Sequence, residues 1–233
     1  MSEGSAVRRA ADLRLSAIVL IAVAAACWAV TANRMQGMDM GPGTDLGSLG
    51  WFAGVWLTMM AAMMLPSLAP RGTVPFAAGF LVPWLAAGVA AYGLVQGVRS
   101  LDLSFLGWDE GGPYVAGAVI LGAALYELTP AKRICLGHCR APRRPARSIP
   151  MELRAGVVEG AYCVGCCWAL MAALFALGVM SLTWMVVIAA AIAFEKLWPS
   201  ERVAEGATIG LLVTLALGVA FFPDQLPGLT VPM

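Results

Sequence analysis

Three cysteines, Cys163, Cys166 and Cys167, occupy positions i, i+3 and i+4 of the apolar stretch Gly156–Met180, in the run CVGCC. At about 100° per residue, this spacing gathers three thiols on one helix face. Thiols converging in apolar surroundings suit a soft metal ion or a redox centre. Singly, a cysteine is also an ordinary small core residue. Glu159, one turn before Cys163, and Met171, one turn after Cys167, prolong the stripe.

The same spacing recurs in YELTPAKRICLGHCR, where Cys135, His138 and Cys139 fall at i, i+3 and i+4. His138 is the only histidine of the chain. A helical Cys-x-x-His-Cys offers three ligands to Cu(I) or Zn(II); a reduced, merely structural set of thiols is the alternative. It is neither a zinc-finger spacing nor the C-x-x-C-H of haem attachment, so no haem is expected. A third set is MMAAMMLP, in which Met59/Met63 and Met60/Met64 are i, i+4 pairs. Their thioethers ligate Cu(I) and bind hard cations poorly, although methionine also serves as core filler. Met35, Met38 and Met40, in MQGMDM, could capture a metal outside the membrane. Three carboxyls, Glu127, Glu159 and Glu195, lie in or beside apolar runs. Such groups are costly in lipid and serve as proton or charge partners; Glu195, beside Lys196 at the end of a short span, could instead reach the headgroups, and Glu159 could be a neutral carboxyl hydrogen-bonded within the bundle. Glu159 is the expected acceptor of protons that the thiols give up on ligation.

The elements that must position these groups are membrane helices. Of the 233 residues, 60% are hydrophobic and 12% charged, against roughly a quarter charged in soluble domains. The apolar runs are continuous, which excludes a β-barrel. Seven are legible: about Leu13–Ala32, Leu49–Ala69, Val74–Gly97, Pro113–Thr129, Gly156–Met180, Thr183–Leu197 and Gly206–Phe222. With the N-terminus inside, all Lys and Arg except Arg34 and Arg99 fall on the cytoplasmic side, as the positive-inside rule requires. The expectation is an all-α, polytopic transmembrane helical bundle of about seven helices, N-terminus in and C-terminus out. It forms one domain over residues 1–233, in a bacterial inner membrane, with the first apolar stretch retained as a helix. The basic stretch Pro130–Arg154 reads as a cytoplasmic loop, with RAPRRPARSIP irregular, and is first a topology determinant. Pro66 and Pro70 mark a kink or an early end of the second span. GxxxG pairs at Gly50/Gly54, Gly93/Gly97, Gly156/Gly160 and Gly206/Gly210 permit close helix approach.

In this topology the sulfur clusters form a series: loop methionines outside, Met59–Met64 near mid-membrane, then Cys163–Cys167, then Cys135/His138/Cys139 at the cytoplasmic surface.

WLTMMAAMMLPSLAP, YELTPAKRICLGHCR, GAYCVGCCWALMAALFALGVMSLTWM and FEKLWP, in this order, resemble the metal-binding integral membrane proteins of domain-of-unknown-function family 2182. The resemblance covers roughly residues 50 to 200. It implies a helical bundle and copper handling, and it points to Met59, Met60, Met63, Met64, Cys135, His138, Cys139, Cys163, Cys166, Cys167, Glu127, Glu195 and Lys196.

Three functions compete. The first is soft-metal handling, with Cu(I) ahead of Zn(II), as a transporter or as a membrane chaperone that delivers to a membrane or periplasmic cuproprotein. No G-x-x-x-x-G-K-[ST] motif is present, so no nucleotide cofactor and no self-powered pumping are expected. The second is a non-catalytic subunit or assembly factor of a larger membrane complex. The third is a thiol oxidoreductase built on Cys163–Cys166; the inward placement of these thiols argues against it. The expected partners are the lipid bilayer and a soft metal ion, not nucleic acid, and the chain is more binder than enzyme.

Overall fold

The computed structural model describes residues 3–35, 46–69, 72–101, 111–141, 145–146, 148–178 and 181–223, the side chains of 3–12 and 35 excepted. It is all-helical: α1 Glu3–Met35, α2 Leu49–Leu68, α3 Val74–Arg99, α4 Gly112–Glu127, α5 Pro130–Arg140, α6 Ile149–Gly178, α7 Leu182–Leu197 and α8 Glu201–Phe221. Each of the seven apolar runs is helical. Five helices, within α1, α2, α3, α6 and α8, are long and apolar enough to cross a membrane, or six if the bent pair α4–α5 counts as one span. Two of the seven expected spans are shorter than the rest. α4 and α7 have only 16 residues each, about 24 Å of rise and short of a roughly 30 Å hydrocarbon core. The difference at α4 lies in α5, an extra helix in the stretch read as a loop.

Thr129 makes this bend. Its Oγ1 accepts from Lys132 N at 3.3 Å and donates to Tyr126 O at 2.7 Å. Pro130 follows at the first helical position, where its missing N–H costs nothing. The chain turns by 67°, and α5 packs against α6 instead of leading away from it. α6 begins at Ile149, inside the segment expected to be irregular; residues 142–144 and 147 of that segment lie outside the described residues. Pro66 sits inside α2, which ends two residues later at Leu68.

The interior and the outer surface are both apolar. α2 buries Met59, Met60, Met63, Met64, Phe52 and Trp56 at the centre, while Leu15, Ile18, Leu94, Leu125 and Leu217 are exposed on the outer surface. An apolar exterior of this extent suits hydrocarbon, not water. α3 and α6 approach until their backbones meet: a Cβ on Gly79, Gly156 or Gly160 would fall 2.1, 2.1 or 2.4 Å from a carbonyl oxygen of the facing helix. Only glycine permits this contact. Gly156/Gly160 is thus a packing motif, whereas Cβ atoms on Gly50, Gly54, Gly93, Gly97, Gly206 and Gly210 would meet nothing within 4 Å.

Candidate metal centre

α5 is amphipathic, and its buried face is Lys132, Leu136 and Cys139, positions i, i+4 and i+7. Cys139 therefore points into the bundle. α6 buries Cys163, Cys166 and Cys167 against it. The Sγ atoms of Cys139, Cys163 and Cys166 all lie within 4.8 Å of one another, with Cys139 and Cys166 3.9 Å apart. Metal–sulfur bonds of about 2.3 Å set trigonal ligands about 4.0 Å apart, so this trio fits one ion with little adjustment. Cys167 Sγ is 3.3 Å from Cys166 Sγ, and Cys166 Sγ donates to Cys163 O at 3.3 Å. None of the six cysteines is in a disulfide.

Two further groups close the site. Met64 Sδ is 4.0 Å from Cys163 Sγ. Lys196, buried near the end of α7, donates from Nζ to Cys163 Sγ at 3.0 Å and to Met64 Sδ at 3.7 Å. Phe80 of α3 offers its ring 6.0 Å from the same nitrogen. A buried ammonium needs anionic or polarizable partners, and the sulfurs supply them. The centre is thus a dry pocket of soft donors beside one fixed positive charge.

Next to it lies a cluster of hard groups. Lys132 Nζ donates to Glu127 Oε1 at 2.7 Å and to Glu195 Oε2 at 2.9 Å, all three side chains being almost fully buried. Glu195 and Lys196 are adjacent, yet one side chain joins this cluster and the other joins the sulfurs. Arg140 fixes the strand of chain that carries both: its Nη1 donates to Glu195 O at 2.6 Å and its Nη2 to Trp198 O at 2.5 Å.

The structure redistributes the expected site residues. The three clusters that the sequence spaces at different depths meet at one point: Met64 from α2, Cys139 from α5, and Cys163 and Cys166 from α6. The bend at Thr129 explains it, since it folds the Cys139 helix back onto α6. Cys135 and His138 do not join Cys139. Cys135 Sγ packs on the backbone at Gly165. His138 is part-exposed, stacks on Tyr162 with ring centroids 3.8 Å apart, and faces Glu159 with Nε2 3.5 Å from Oε2. His138 is turned about 100° from Cys139 around α5, which carries it off the buried face. Glu159 thereby pairs with His138, outside the thiol cluster. Met59, Met60 and Met63 are buried core residues. Glu127 and Glu195 are buried partners of Lys132. Met38 and Met40, and the side chain of Met35, lie outside the described residues.

Sequence reasoning left Lys132 among the loop charges. Two buried carboxyls require cations, and Lys132, just beyond Glu127 in YELTPAK, was the signal. Glu152 was also missed: it accepts from Thr73 Oγ1 at 2.6 Å and from the Ala146 backbone N–H, tying the start of α6 to that of α3.

Fold and site together define an all-helical protein with a buried cysteine cluster that suits a metal ion. The model of the copper chaperone family PpoB2 matches residues 53–220, and the chain belongs to that family. No curated protein and no solved structure matches the chain.

Proposed function

We propose that this chain is a membrane-embedded Cu(I) chaperone that holds one ion on Cys139, Cys163 and Cys166, with Met64 beside them and Lys196 offsetting the thiolate charge. One observation carries the reading: three buried Sγ atoms from two helices lie within 4.8 Å of one another, in a chain of a copper chaperone family. Soft sulfur donors favour Cu(I) over hydrated hard cations. Membership of that family and a single enclosed site among the described residues favour storage and hand-over above conduction. In this reading the helices span a bacterial inner membrane with the N-terminus inside, and α5 lies on the cytoplasmic side. Delivery goes to a cuproprotein in or outside that membrane.

The test is anaerobic purification in detergent, followed by titration with Cu(I), Ag(I) and Zn(II) against competing chelators. One Cu(I) or Ag(I) per chain, lost in the Cys139→Ser/Cys163→Ser/Cys166→Ser protein, supports the reading. Unchanged stoichiometry in that variant contradicts it, and tighter binding of Zn(II) than of Cu(I) reassigns the metal.

A further inference from the structure

Thiols must lose their protons to ligate a metal, and Cys139, Cys163 and Cys166 are buried. A proton leaving it needs a hydrated way out. One cavity of about 330 Å³ lies beside the pocket, lined by Glu127, Lys132, Leu136, Gly137, Glu195 and, at its outer end, the α8 residues Glu201, Arg202 and Glu205 with Arg133. It runs along α5 from Lys132 to Leu136 and Gly137, less than one helical turn short of Cys139. Its inner wall holds the two buried carboxyls. Glu195 Oε1 is buried with no hydrogen-bond partner, although its other oxygen takes the Lys132 ammonium. An orphaned carboxylate oxygen in a polar cavity of this size is a site for water. Ion pairs Arg133–Glu205 at 2.9 Å and Arg140–Glu201 at 3.6 Å tie α5 to α8 at the outer end.

We propose that this cavity is the proton exit of the sulfur site, with the Glu127–Glu195 pair as the acceptor that passes protons to water. The proposal rests on the Cu(I)-binding reading above. As each Cu–S bond forms, an S–H bond breaks. The proton moves through cavity water to a Glu195 or Glu127 carboxylate and then past Glu201 and Glu205 to bulk water, and no atom changes oxidation state. Lys132 keeps the carboxylates in place. The charged groups facing the pair are Lys132 and Arg133 from α5, with Glu201, Arg202 and Glu205 from α8. This role was assigned to Glu159 on sequence spacing, but Glu159 sits with His138 at the rim.

Gly137 gives the test. It lines the cavity, and a Cβ there would meet nothing within 4 Å, so Gly137→Leu fills the space while strengthening the helix. Glu195→Gln keeps the shape and removes the acceptor whose oxygen is open to cavity water, leaving Glu127 on Lys132. Reduced protein in weakly buffered detergent is mixed by stopped flow with the acetonitrile complex of Cu(I), and a pH dye follows proton release while chelator competition gives the bound metal. Both variants should reach wild-type Cu(I) stoichiometry, with proton release and loading slowed together by about tenfold or more. Rates within about twofold of wild type in both variants would overturn the proposal. Slowing in Glu159→Gln instead would overturn it in favour of the rim. A wild-type protein that binds no Cu(I) would overturn the metal reading, and this exit with it.

Discussion

The sulfur centre and the carboxylate cluster share α5 and α7 and answer the same problem differently. Each holds a buried lysine. Lys196 meets Cys163 and Met64, and Lys132 meets Glu127 and Glu195. In the first, polarizable sulfurs lie close together in a dry pocket where a second, metal cation can be shared. In the second, hard oxygens bind the ammonium directly and border a polar cavity. The comparison teaches that donor type and hydration, and not charge alone, separate a metal site from an ion-pair site within one bundle. Adjacent residues on α7, Glu195 and Lys196, serve one cluster each.

Breaking the sulfur side has the largest expected effect. Cys139→Ser should abolish stoichiometric Cu(I) retention against a competing chelator, although the whole CVGCC motif remains. His138→Gln, one residue away, should retain the metal. If the two variants behave alike, the separation of Cys139 from His138 is wrong.

Breaking the carboxylate side comes next. Lys132→Met leaves two acids buried without their cation, a change of the kind that costs about 3–5 kcal/mol. It should lower the thermal midpoint in detergent sharply, and adding Glu127→Gln and Glu195→Gln should restore most of the loss. Failure of the triple variant to recover would mean that the cluster does more than neutralise its own charge.

Lys196→Met sharpens the contrast. Lys196 touches the ligands without replacing them, and loss of such a partner typically lowers metal affinity by about 10–100-fold. Competition titration should show this drop with unchanged stoichiometry. The smallest effects concern the scaffold. Gly160→Ala should destabilise by about 1–3 kcal/mol, because its Cβ overlaps Phe80 O. Gly206→Ala, with open space around it, should be neutral or stabilising by up to about 1 kcal/mol.

The helices were legible because continuous apolar runs leave little choice in a membrane. The buried cysteine face of α6 was equally readable from its i, i+3, i+4 spacing. What spacing along one helix cannot convey is which second helix faces it. Cys139 seemed to belong with Cys135 and His138, its neighbours in sequence. The burial of Lys132, Leu136 and Cys139 shows that α5 presents a different edge, and the 67° bend at Thr129 decides where that edge goes. The N-cap threonine and Pro130 were visible in LTPAK as a helix start. They were hidden by reading the basic stretch as loop. Lys132 was lost for the same reason: a lysine near a membrane boundary is read as a topology charge until two buried carboxyls claim it.

The central claim is that α5 and α6 together form one all-sulfur site. X-ray absorption at the copper edge of the Cu(I)-loaded protein tests it most directly. The account predicts a first shell of sulfur alone, at about 2.3 Å, that collapses in Cys139→Ser. A shell containing nitrogen at about 2.0 Å, unchanged in Cys139→Ser and lost in His138→Gln, would contradict it.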